Sequence, residues 1–126
     1  MKATELMIGD WVNSDFGIFQ IKEIFDDAVR DNRGNDYKFD CIHPILLTAE
    51  ILKNNGFELS EGRELIALVG LMFECKIMSQ TLHLYYDKRN KDYSLYAFGS
   101  QINHILYVHE LQNAMRVCGI KKEIEL

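Results

Sequence analysis

Hydrophobic and polar positions change period along this chain. Through residues 10–42 apolar side chains mostly alternate with polar ones, the two-residue period of a strand with one covered face. Residues 10–13 and 18–24 read as strands joined by a Gly-containing loop at 14–17. Residues 28–30 read as a third strand and 37–42 as a fourth, with Tyr37, Phe39 and Cys41 on one face. Asp26-Asp27 and the run DNRGND at 31–36 supply turn chemistry between them. Four or five short strands within about 40 residues predict a small, strongly bent sheet of the SH3-like barrel kind.

The pattern breaks at His43-Pro44, because the residue before proline is pushed into extended geometry. Thr48 is placed to cap a two-turn helix at about 48–55, and Gly56 to stop it. Residues 57–59 and 63–69 flank the turn Ser60-Glu61-Gly62 as a possible hairpin, although 65–69 reads equally as buried helix. Strict alternation then returns in 71–79, 82–87 and 93–98, a three-stranded antiparallel meander with polar connections. The clearest helical period lies at about 104–118. There Val108, Leu111, Met115 and Cys118 recur at three and four, with Ile105 extending the stripe and Gly119 ending it. Residues 121–125 read as a closing strand. The fold expected is α+β: an SH3-like module over 1–44 and a second module over 45–126 with two helices and an antiparallel sheet.

Composition narrows the class of protein. The chain has 126 residues, 48% hydrophobic and 26% charged, the balance of a folded domain rather than a disordered one. No run approaches the roughly 18 apolar residues of a membrane span, and the first residues lack the apolar core of a signal peptide. Cys41, Cys75 and Cys118 are an odd, widely spaced set, which fits reduced thiols in a cytoplasmic protein. The net charge of −5 is concentrated in residues 1–64, where thirteen Asp and Glu face seven Lys and Arg. An acidic half of this kind repels phosphate backbones and disfavours non-specific nucleic-acid binding.

No stretch carries a reaction. His104 and His109 lie five apart, roughly 140° around a helix, which is wrong for shared metal ligation. His109-Glu110 lacks the second histidine of a zinc-protease helix, and Cys41-Ile42-His43 has no second ligand pair. Each cysteine falls on the apolar face of its expected element, the place of an inert thiol. The chain contains no Gly-x-Gly phosphate loop. The sequence therefore assigns no catalytic residue, cofactor or metal. The side chains left for recognition are Trp11, Phe16 and Phe19 in the first module, with His109, Gln112 and Asn113 on the last helix as a second group. Structural roles are the stronger reading for that second group, for instance Gln112 or Asn113 bonding strand-end backbone. The loop Lys88-Arg89-Asn90-Lys91 reads as a solvated hairpin tip.

Three blocks recur together in one kind of protein: KATELMIGDWV at 2–12, ILLTAEIL at 45–52 followed by NGF at 55–57, and YVHELQN at 107–113. By these the chain resembles a group of small uncharacterised proteins of gut anaerobic bacteria and their prophages and mobile elements. It departs from the usual pattern at Met7, Leu46 and Glu110, and in its Gly119-Ile120-Lys121-Lys122 ending. The resemblance implies a cytoplasmic protein in a mobile-element setting and supplies no catalytic residues. The function expected is non-enzymatic: an accessory protein that binds a protein partner. The alternative is a nucleic-acid-binding module using the aromatic faces of the small barrel.

Overall fold

A computed structural model of the chain describes residues 1–60 and 70–126. The strand expected at 63–69 lies outside the described residues. The chain forms two compact units, one of Met1–Leu46 with Tyr107–Asn113 and one of Leu47–Leu106 with Ala114–Leu126. Residues 107–113, expected in the second module, thus belong with the first.

In the first unit, a short 3-10 turn at Ala3–Glu5 precedes six strands: β1 (Trp11–Ser14), β2 (Gly17–Gln20), β3 (Glu23–Ile24), β4 (Ala28–Arg30), β5 (Asp36–Lys38) and β6 (Ile42–His43). They form two antiparallel sheets, ordered β2-β1-β6 and β3-β4-β5, rather than the closed barrel expected from the sequence. Closure demands tilted strands with enough register to stagger around a ring, and strands of two to four residues lack it. The chain passes from one sheet to the other at Ile21-Lys22: Ile21 N–H donates to Asp10 O at 2.9 Å, and Lys22 N–H to Arg30 O at 2.8 Å. Leu6, Val12, Ile21, Val29 and Ile42 make the core, with Phe19, Tyr37 and Phe39 packed on it. Residues 39–41 form a 3-10 turn, not the end of a strand, so Cys41 is exposed rather than on a covered face.

The second unit holds α1 (Ala49–Asn54) and the five-stranded sheet β11-β10-β9-β8-β7. Its strands are β7 (Glu58–Leu59), β8 (Gly70–Ile77), β9 (Gln80–Asp87), β10 (Asp92–Ala97) and β11 (Ser100–Ile105). Thr48 caps α1 as expected, its Oγ1 accepting from Ile51 N–H at 3.2 Å. The alternation of the meander is realised in the register: Phe73, Leu84 and Leu95 stand side by side across β8, β9 and β10, all buried. Strand β11 replaces the first turn of the helix expected at 104–118. The register slips between Tyr93 and Leu95, and His104 adopts φ 63°. This irregularity breaks the two-residue period of SQINHI. The helix α2 runs from Val108 to Val117.

No strand forms at 121–125. Instead the buried Asn55 side chain accepts from Glu125 N–H at 2.7 Å and donates to Glu125 O at 2.9 Å. One side-chain amide thus does for the tail what a strand partner would, and Ile124 is buried behind it. No helix among the described residues is long and apolar enough to cross a membrane.

Candidate binding groove in the N-terminal unit

The side chains singled out from the sequence fall into two structurally different sets. Gln112 and His109 are each only 2% exposed. Gln112 Oε1 accepts from Trp11 N–H at 2.9 Å, and its Nε2 donates to Gly9 O at 3.0 Å. Asn113 Nδ2 donates to Glu5 O at 3.1 Å and to Asp10 Oδ2 at 3.2 Å. Asp10 is fully buried and also accepts from Met7 N–H at 2.9 Å. Residues 107–108 are tied to the central block as well, through the Leu46–Tyr107 bridge and Val108 N–H to Ile45 O at 2.8 Å. The three blocks that carry the resemblance therefore meet at residues 107–113. Their polar side chains secure backbone, and His109 and Gln112 do not face solvent.

His109 stacks on Tyr107, with centroids 6.0 Å apart and planes within 11°. Its Nδ1 is buried and finds no hydrogen-bond partner among the described residues. Burial lowers its pKa from the ordinary 6.5, against the pull of the Asp10, Glu110 and Glu5 carboxylates. The ring is accordingly held neutral in the fold.

Trp11, Phe16 and Phe19 line an open groove of about 860 Å³ in the same unit. Its one side is the whole of β2, and its other is the segment 31–37. At the hairpin tip Ser14 Oγ accepts from Phe16 N–H at 3.2 Å and donates to Gly17 O at 3.0 Å. The backbone is pinned there while Phe16 stands 90% exposed. Phe19 stacks on Tyr37 with centroids 4.3 Å apart, and both rings line the groove.

The opposite wall is built by one carboxylate. Asp31 Oδ1 accepts from the backbone N–H of Arg33 and of Asn35, each at 2.9 Å. Its Oδ2 accepts from Asn35 Nδ2 at 3.3 Å and Tyr37 OH at 3.1 Å. Burial alone would raise this carboxyl, but the hydrogen bonds from Asn35, Arg33 and Tyr37 together outweigh it and hold the pKa below the usual range. Asp36 is engaged by Arg30, Nε to Oδ1 at 2.7 Å. Asp31, Asn35 and Tyr37 were legible as turn and strand residues. Nothing in their spacing marked them as a wall, although Asp with backbone amides two and four residues on is the signal of a side chain organising its own loop.

Two of the thiols are shifted away from the reactive thiolate. Burial pushes Cys75 up, and partial desolvation with the Asp40 and Asp15 carboxylates does the same to Cys41. Among the described residues no three His, Cys, Asp or Glu stand together as metal ligands. No protein-family model, curated protein or solved structure matches the chain.

Proposed function

We propose that the N-terminal unit is a non-enzymatic binding module for a protein partner, acting through the groove lined by Trp11, Phe16 and Phe19. The observation that carries this reading is Phe16, a residue 90% exposed on a pinned hairpin tip beside the stacked Phe19 and Tyr37. An isolated exposed apolar residue is ordinary, but an aromatic at the mouth of a preformed groove is an anchor-sized contact held in place in advance. The lining cations Lys22 and Arg33 are matched in number by the carboxylates Asp31 and Asp36. In a chain of net charge −5 this is too little positive charge to hold a phosphate backbone. A cytoplasmic accessory protein of mobile-element origin is the setting that the sequence resemblance adds.

Affinity capture from bacterial lysate, with and without nuclease, tests the proposal. Wild-type protein should retain a defined protein after nuclease treatment, and Phe16→Asp should lose it. Retention abolished by nuclease would put nucleic acid in the groove instead. Equal retention by both variants would remove the groove from the account.

A further inference from the structure

Among the described residues the groove has a free strand edge along one side, and this decides what kind of protein segment fits it. Strand β2 is, among the described residues, the outer strand of its sheet, paired only with β1 in the order β2-β1-β6. The phase of the ladder follows from one bond. Ile21 N–H donates to Asp10 O, so Asp10–Ile21 is a hydrogen-bonded pair. Alternation then makes Val12–Phe19 a bonded pair and leaves Trp11–Gln20 and Asn13–Ile18 as non-bonded ones. The N–H and C=O groups of Ile18 and Gln20 accordingly point away from β1, along the edge.

Exposed edges are usually blunted by charge, proline or extreme shortness. In this unit β5 carries Asp36 and Lys38, and β6 has two residues. Strand β2, sequence GIFQ, carries no charge, and Ile18 is 49% exposed. All four of its residues line the groove.

Resting on the groove reading above, we infer that the groove takes an extended segment of a partner protein as an added strand along β2. Main-chain groups of the segment bond Ile18 and Gln20, and side chains at alternate positions meet the Phe19–Tyr37 pair and Phe16. The four residues of β2 offer an edge of roughly 13 Å, enough for a segment of about four or five residues. Charge sets its composition. Asp36 is paired with Arg30, and Asp31 keeps its charge but is buried under the neutral donors of its own loop, whereas Lys22 and Arg33 present cationic side chains at the surface. The segment is therefore apolar at alternate positions and carries an acidic residue beside Lys22 or Arg33.

A displayed library of random ten-residue peptides, selected on the full chain, supplies the probe. Enriched peptides should show alternating apolar residues with a carboxylate. The best of them, added to labelled protein, should slow amide exchange at Ile18 and Gln20, which the free fold leaves outward, while Phe19 is already paired. Ile18→Pro removes an outward N–H together with the Ile18 side chain, so it is compared with Ile18→Ala, and it should weaken the peptide about tenfold beyond that control, the worth of one hydrogen bond. Circular dichroism checks that this variant folds, and the exchange measurement stands on wild-type protein alone. A peptide that depends on Phe16 but leaves exchange at Ile18 and Gln20 unchanged would overturn the added strand and leave the groove reading standing. Absence of any Phe16-dependent peptide would also overturn it, and partner capture would then judge the groove separately. Slowed exchange at the two amides on concentrating the free protein would assign the edge to a second copy and overturn the proposal.

Discussion

Replacing Gln112 with alanine tests the join on which the N-terminal unit depends. The substitution removes the acceptor 2.9 Å from Trp11 N–H and the donor 3.0 Å from Gly9 O. Each buried bond is worth about 1 kcal/mol net, and truncating a buried side chain adds a cavity term. Gly9 O keeps a second donor, Gln20 Nε2 at 3.0 Å, which limits the loss on that side. The expected destabilisation is about 2–4 kcal/mol. Trp11 is the single tryptophan of the chain and lies in this unit, so urea unfolding followed by its emission reads the affected part directly. Gln112→Glu separates the two bonds. It retains an acceptor for Trp11 N–H but sets a charge against the Gly9 carbonyl, and it should be no more stable than the alanine variant. A loss below about 0.5 kcal/mol for Gln112→Ala, the size of an ordinary surface change, would refute the reasoning.

Three further outcomes follow from the geometry. Because burial depresses the His109 pKa, the unfolded chain takes up the proton more readily than the fold. Stability should be full above about pH 6.5 and decline as pH falls below it, and His109→Leu should flatten that slope in urea midpoints measured across the range. Gly70→Ala places a Cβ against the Tyr86 carbonyl and the Tyr85 ring, and should cost about 1–3 kcal/mol in thermal unfolding followed by circular dichroism. Asn55→Leu keeps the volume but removes the amide that holds Glu125 and Ile51 O, and should free the tail, seen as faster amide exchange at Glu125.

Much of the fold was legible because period and burial agree. Phe73, Leu82, Leu84 and Leu95 alternate in sequence and are buried in register, and Thr48 caps the helix its position announced. The failures have physical causes. Strand β11 hides its period behind the irregularity at His104. The closing strand at 121–125 is a tail whose partner is the Asn55 side chain, invisible to any pattern of apolar spacing. The barrel reading recognised the short strands but not that they are too short to close. Of the residues singled out from the sequence, Trp11, Phe16 and Phe19 come together because a hairpin brings them together locally. Gln112 and Asn113 bond backbone as expected from the sequence, but the backbone they reach was not legible. Their role depends on segments about one hundred positions away, Glu5 to Trp11, which amphipathic spacing does not report.

The emission of Trp11 is also the most direct probe of the central claim, because its ring lines the proposed groove. Titrating the chain with the captured protein should shift that emission and saturate at stoichiometric partner, and Phe16→Asp should abolish the change. The account is contradicted if partner binding leaves Trp11 unmoved, or if the shift appears only with oligonucleotide and vanishes as salt is raised.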